Sequence, residues 1–323
     1  MVVARLTVST EGSVVTRDDS AFARATAYAK TATAAATRRG YESDWSCFAA
    51  WCAEQGLAAL PAAPVTVGGY LAAMAPTLKA STLGRRRAAL AIAHRLAGHQ
   101  LDLKHPGIAA VMTGIRRQHG SAQRQAAPAT VDVVKAMVGT CGDDLAGLRD
   151  RALLLLGFAG AFRRAELVAL QVEDVTADAA SGGIRVTLRR SKGDQAGAGQ
   201  VVGIARTGSA TCPVAALAAW QGAAGIETGL LLRSVDRHGR VGDSLSDKAV
   251  ALVVKKRAEA AGLDPAAFSG HSLRAGLATS AAAHGLEERD IQRQTRHRSV
   301  AVLRRYIRDG ELFRANVSGK VGL

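Results

Sequence analysis

Residues 296–308 read RHRSVAVLRRYIR, with His297 nine positions before Tyr306. On one unbroken helix those two side chains would point to opposite sides. Ser299 supplies a break. It has the side chain of an N-cap, and a helix over Val300–Arg308 follows, with Val300, Leu303 and Ile307 as its apolar stripe and Tyr306 beside that stripe. With the break in place, imidazole and phenol can converge. Just upstream, GHSLRAG (270–276) sets His271 and Arg274 three apart, a spacing that puts both on one face of a helix. Apolar periodicity predicts that helix over about 271–284 and another over about 287–295.

Working back toward the N-terminus, helices are predicted at about 131–141 (capped by Thr130), 145–158, 213–222 and 246–261, the last with Ser246 as cap and Gly262 as stop. Between them lies a β-prone section. Val172–Val175 comes first, then Ile184, Val186 and Leu188 alternating with polar residues, then Val201, Val202 and Ile204. SKGDQAGAGQ is the Gly-rich turn of the resulting hairpin. Residues 121–130, SAQRQAAPAT, carry no apolar periodicity and hold Pro128, which marks a linker. Before it the chain reads as helix after helix. Thr37–Gln55 carries Tyr41, Trp45, Phe48 and Trp51 at helical spacing, with Gly56 as its stop. Further helices follow at about 66–74, from Ser81 or Thr82 to Gly98, and at about 107–118. The expected organisation is a flexible leader (1–17), a helical domain (18–120), a linker (121–129), a second, mainly helical domain with a small antiparallel sheet (130–310) and a tail (311–323).

The chain carries a formal net charge of +15, from 33 Arg and 9 Lys against 27 acidic residues. Genomic base composition can favour arginine, but the sign still suits a polyanionic partner. The balance is +8 over residues 1–125 and +7 over 126–323, so the charge is not confined to a basic tail. From Lys79 to Arg124 nine cationic residues face one acid, Asp102. Such a run can be a solvated helix face. The near absence of carboxylates points instead to phosphate contacts, for which Arg38, Arg39, Arg85, Arg86 and Arg87 are the candidates. Cys47, Cys52, Cys141 and Cys212 lack metal-ligand spacing and read as buried small residues in a reducing compartment. No signal-type leader and no run of about 20 apolar residues is found, so a cytoplasmic, nucleoid-associated protein without a membrane partner is expected.

Four segments in order, GAFRRAELVAL (160–170), RRSKGDQ (189–195), GHSLRAG (270–276) and RHRSVAVLRRYIR (296–308), resemble the signature boxes of the tyrosine recombinase family, which includes Cre, lambda integrase and the Xer proteins. TRRGYESDWSCFAAWCAEQG (37–56) resembles the opening of that family's core-binding domain. TCPVAALAAW (211–220) resembles the helix after its hairpin. The likeness covers most of residues 33–310. It implies a SAM-like helical domain plus a catalytic domain in a C-shaped DNA clamp, and Arg163, Lys192, His271, Arg274, His297 and Tyr306 as the catalytic set. It also implies duplex DNA with inverted-repeat sites as partner, a homotetramer on two sites, and a tail around Leu312 and Phe313 that docks on a neighbouring protomer.

The residue types suit the chemistry. Attack on a phosphodiester gathers negative charge on the non-bridging oxygens, and Arg163 and Arg274 can fork onto them without losing protons. That role makes a metal unnecessary, and no cofactor is expected. A phenol, with an ordinary pKa of ~10, needs a base before it attacks, and His271 is the imidazole at hand. The resemblance makes Lys192 the acid for the leaving oxygen and sets His297 on a phosphate oxygen. Glu166, three residues after Arg163 and so on the same helix face, would hold that guanidinium or the His271 region; read otherwise, it is a solvated carboxylate. The chain departs from the family where Arg296 stands for the usual Gly and Arg164 for an apolar residue. Two other readings of the scaffold stay open: a catalytically inactive DNA-binding regulator, and a type IB topoisomerase-like nicking-closing enzyme.

Overall fold

The computed structural model describes residues 34–120, 125–189 and 199–311, with Arg24, Ala27 and Tyr28 ahead of them. The expected leader, the hairpin tip with Lys192, and Leu312 and Phe313 lie outside the described residues. The chain divides into two compact units, Met1–Arg124 and Gln125–Leu323.

The described part of the first unit is built of helices α1 (Ala35–Glu54), α2 (Pro64–Met74), α3 (Ala80–Leu96) and α4 (Pro106–His119). The aromatic spacing of α1 becomes the wall of a core. Phe48 is fully buried against Tyr70, edge to face at 5.0 Å, while Trp45 and Trp51 pack at its margin. Gly56, in the left-handed region at φ 65°, ends the helix as its residue type predicts. The cap of α3 differs from expectation. The Lys79 carbonyl already accepts from the amides of Thr82 and Leu83 (2.9 and 3.1 Å), so Ser81 and Thr82 fall inside the first turn and neither caps it. Cys47 is exposed, unlike the other three cysteines, because it faces away from the Phe48 side of α1.

Arg86 also departs from expectation. Its guanidinium turns inward, donates to the Tyr70 hydroxyl and lies 3.7 Å from buried Asp44, with only 14% of its side chain exposed. Arg85, half exposed, reaches the same carboxylate at 3.1 Å. Burial raises the pKa of Asp44, and the two guanidiniums oppose that rise. A residue spent on a core carboxylate is a poor candidate for a phosphate contact.

The second unit comprises α5 (Val131–Gly139), α6 (Leu145–Ala159), α7 (Arg164–Ala169), a sheet of β1 (Val175–Ala177), β2 (Ile184–Leu188) and β3 (Gln200–Ile204), then α8 (Pro213–Ala224), α9 (Asp247–Ala260), α10 (Ser272–Ala283), α11 (Glu288–Thr295) and α12 (Val300–Glu311). The sheet is antiparallel in the order β1-β2-β3, with Val186 opposite both Val175 and Val202. Val172–Asp174, expected as strand, is a 3-10 turn, because the Asp174 carboxylate accepts the Gln171 amide (2.9 Å) and closes it. The α6 run Leu153–Leu156 is buried all round, with Phe162 and Trp220 in the same core. Ser246 caps α9 by accepting from the Ala249 amide, and Gly262 ends it. Thr130 holds the cap position of α5 without bonding through its hydroxyl; the Val131 amide donates to Ser280 Oγ of α10 instead.

Residues 127–129, read from sequence as linker, belong to this unit. The Ala127 amide donates to Ala267 and the Ala129 amide to Ser272 (2.7 and 2.9 Å), and Ala129 is fully buried. The segment runs so close to α10 that a Cβ at Gly276 would collide with the Ala129 carbonyl.

Arg86→Ala should lower stability by about 1–3 kcal/mol, since it deprives buried Asp44 and Tyr70 of a partner. Denaturant titration of the whole protein reads this directly. An unchanged midpoint would return Arg86 to the set of phosphate contacts.

Candidate active site

The site is assembled where α10 begins. Ser269 and Ser272 lock the preceding turn. The Ser269 amide donates to Ser272 Oγ (3.0 Å), and the His271 amide donates to Ser269 Oγ (3.2 Å). His271 takes the cap position with its side chain exposed, and Arg274 lies one turn in, 1% exposed. Arg274 Nη1 donates to the Ala161 carbonyl (2.7 Å), while its buried Nη2 has no partner among the described residues. A helix start favours negative charge, as does a guanidinium with an unused donor.

Arg163 and Glu166 do not share a helix face, as their spacing suggested. Arg163 is extended and forms the cap of α7, with Glu166 at the third helical position. The Glu166 carboxylate accepts from the Arg163 amide (3.0 Å) and pairs with its guanidinium. Burial alone would raise the pKa of Glu166. The Arg163 amide and guanidinium, with Arg296 behind them, hold it below the ordinary carboxylate range instead.

The expected break after His297 is present. The Ser299 carbonyl accepts from the amides of Val302 and Leu303, and α12 starts there. Leu303 is fully buried among Ala278, Ala282 and Ile291, with Tyr306 and Ile307 packed beside it, so α12 lies along α10. That packing delivers Tyr306 to the start of α10, its hydroxyl 3.2 Å from His271 Nε2 and its ring 5.8 Å from that of His297. Arg163, His271, Arg274, His297 and Tyr306 therefore come together around one gap. Arg274 interacts electrostatically with both Arg163 and Tyr306. Lys192 lies outside the described residues. Arg38 and Arg39, in the other unit, are exposed.

Charge dominates this gap. Burial and then the charges of Arg163 and Arg296 push Arg274 down to about 9, which leaves it cationic at neutral pH. His297 is pushed down to about 3 by burial first, then by Arg274, His271, Arg163 and Arg296. Its tautomer is fixed from below. The Thr295 hydroxyl donates to the Ile291 carbonyl (2.7 Å), so its oxygen must accept from His297 Nδ1–H, also at 2.7 Å. Nε2 of the neutral ring then carries a lone pair toward the gap. It can donate to a phosphate oxygen, the expected role, only after taking up a proton.

Sequence reading missed two groups. Thr295 is fully buried beneath His297, with no motif to mark it. Arg296 was read only as a departure from the family's Gly. It sits in the left-handed region at φ 56°, a conformation that favours Gly, and its side chain is buried. Arg164, the other departure, turns away from the Arg163 pair toward Asp247 and Gly270.

Three comparisons bear on this geometry. The phage integrase family profile matches residues 129–311. A protein described as an integrase/recombinase xerD homolog from Selenomonas ruminantium is 40% identical over 291 residues, 88% of this chain and 85% of its own. In fold the chain is similar to the XerH site-specific recombinase bound to palindromic difH substrate in a post-cleavage complex (TM-score 0.59, 17% identity, 80% of this chain and 72% of that one). It is also similar to residues 75–356 of lambda integrase, solved as a dimer bound to a COC′ core site (TM-score 0.58, 17% identity, 90% and 95%).

Imidazole nitrogen NMR should find His297 neutral and Nδ1-protonated at pH 7. Its folded value of about 3 lies below the ordinary 6.5. The unfolded chain therefore takes up the proton first as pH falls, and this contribution to stability drains away between about 6.5 and 3. His297→Gln should flatten that part of the stability curve. A wild-type ring that titrates near 6.5 would refute the assignment.

Proposed function

Because this chain belongs to the phage integrase family and is a site-specific recombinase, we propose that it cuts and rejoins duplex DNA through a 3′-phosphotyrosyl bond at Tyr306, without metal or ATP. The observation that carries this reading is the Tyr306 hydroxyl at 3.2 Å from His271 Nε2, beside a buried arginine donor that has no partner among the described residues.

Tyr306 Oη attacks the phosphorus as its proton passes to His271. The P–O5′ bond breaks, and the 5′-oxygen takes a proton from Lys192. Arg163 and Arg274 fork onto the non-bridging oxygens as charge gathers there, and Glu166 holds Arg163 at the correct angle. His297, once it has taken a proton from solvent on Nε2, which the negative charge of a bound phosphate favours, donates to the same group. In the second step another 5′-hydroxyl attacks the phosphotyrosine and releases Tyr306. One phosphoester replaces another at each step, so no external energy source is needed.

In this reading residues 18–120 form a core-binding DNA domain and residues 130–310 the catalytic domain. Four copies act on two inverted-repeat sites, in the cytoplasm on the nucleoid. Of the arginines first considered for phosphate contact, Arg38 and Arg39 remain the best placed, as both are exposed, whereas half-exposed Arg85 is drawn to Asp44. Such contacts set register and affinity and carry little sequence information.

A target duplex selected from a random pool, then nicked near the scissile phosphate, should trap a covalent protein–DNA complex visible on a denaturing gel. Tyr306→Phe should abolish it, and Arg274→Ala should slow its formation at least ~10²-fold. A complex formed equally by Tyr306→Phe would end the reading. Separately, Arg39→Ala should flatten the salt dependence of binding by about one unit or less, with no change in sequence preference; an unaltered slope would remove Arg39 from the interface.

A further inference from the structure

Among the described residues only two that are not glycine adopt a positive φ: Ala161 at 46° and Arg296 at 56°. They are bonded to each other. Arg296 Nη2 donates to the Ala161 carbonyl at 3.1 Å, and Nη1 donates to the Gly160 carbonyl at 2.9 Å. Backbone in this region favours glycine, and it persists in other residues only where surrounding contacts hold it there. Here each outlier holds the other.

What Arg296 grips is also what the two catalytic arginines rest on. The Ala161 carbonyl that takes its Nη2 also takes Arg274 Nη1 (2.7 Å). The Glu166 carboxylate that pairs with Arg163 accepts from Arg296 Nη2 at 3.3 Å. Arg296 lies over the Phe162 ring (5.2 Å to the centroid), and only 7% of its side chain is exposed. Little of it faces solvent, and its donors are turned toward the protein. A buried guanidinium is costly unless it is engaged; this one is engaged on both seats through Nη1 and Nη2, while its Nε has no partner among the described residues.

We infer that Arg296 is a positioning residue for strand cleavage, a clasp that ties the seat of Arg274 to the seat of Arg163 and so fixes the spacing of the two guanidiniums that receive the phosphate. Glycine, usual at this position in the family, serves the backbone there but has no side chain to hold either seat. The inference rests on the phosphotyrosine reading above.

The test compares wild type, Arg296→Gly and Arg296→Lys on the nicked substrate under single turnover, with the dissociation constant of each for the same duplex and its melting temperature. Glycine suits the left-handed backbone, so Arg296→Gly should fold and bind DNA within about twofold of wild type. Its rate of covalent-complex formation should fall roughly 10–100-fold, the usual effect of removing a group that orients a reactive residue. Millimolar guanidinium added to Arg296→Gly should restore part of that rate. Arg296→Lys keeps the charge without the fork, so it should cleave more slowly than wild type at unchanged affinity, and it decides the matter if Arg296→Gly fails to fold.

A cleavage rate within twofold of wild type would overturn the inference. So would a loss matched by equal losses in affinity and melting temperature and not recovered by guanidinium. Absence of a covalent complex in wild type itself would be a different failure, that of the phosphotyrosine reading.

Discussion

Like charges do not gather inside a protein unless something holds them there. Arg163, Arg274 and Arg296 converge behind a single gap, and one buried carboxylate, Glu166, stands among them, paired with Arg163 and Arg296. Backbone carbonyls do the rest, with Gly160 and Ala161 accepting the donors that Glu166 cannot. The cluster remains under-neutralised. Burial first, and then this excess positive field, keeps neighbouring His297 from protonation, and Arg274 keeps a buried donor with no partner among the described residues. A site left short of negative charge by its own construction is suited to receive an anion.

Packing far from the gap sets where those charges lie. Gly276 lets residues 127–129 run directly against α10, and the amide of Ala129 is tied to Ser272. These contacts fix the helix whose first turn carries His271 and Arg274. Leu303 then pins α12 to the same helix, which brings Tyr306 to His271. One helix thus orients an arginine, a histidine and, through its apolar face, the tyrosine. A small shift of α10 would move all three together, so the close approach at Gly276 bears on chemistry as well as on stability.

Much of this was legible in the sequence because it depends on local periodicity or on end signals. The aromatic spacing of α1, the alternation of Ile184, Val186 and Leu188, the Ser246 cap and the break at Ser299 all reflect rules that act over a few residues. The failures arise where tertiary partners decide. Ser81 and Thr82 have capping side chains, but the Lys79 carbonyl starts the helix before them. Arg86 reads as a surface cation until Asp44 and Tyr70 are seen beneath it. Arg163 and Glu166 have helical spacing, yet the helix begins between them. Cys47 differs from buried Cys52 in the side of α1 it occupies. Arg296 left a usable signal, a bulky side chain where glycine is usual, but its partners at Gly160, Ala161 and Glu166 are over a hundred residues away.

The tautomer of His297 links these levels. Thr295 accepts from His297 Nδ1–H because its own hydroxyl proton is committed to Ile291, and burial first, then the surrounding charges, discourage a second proton on Nε2. A phosphodiester in the gap would bring a negative charge close to Nε2 and offset the field that keeps the ring neutral, and an imidazole that could only accept would become a donor. Burial, and with it the cations that make the site attractive to phosphate, thus sets the protonation of His297.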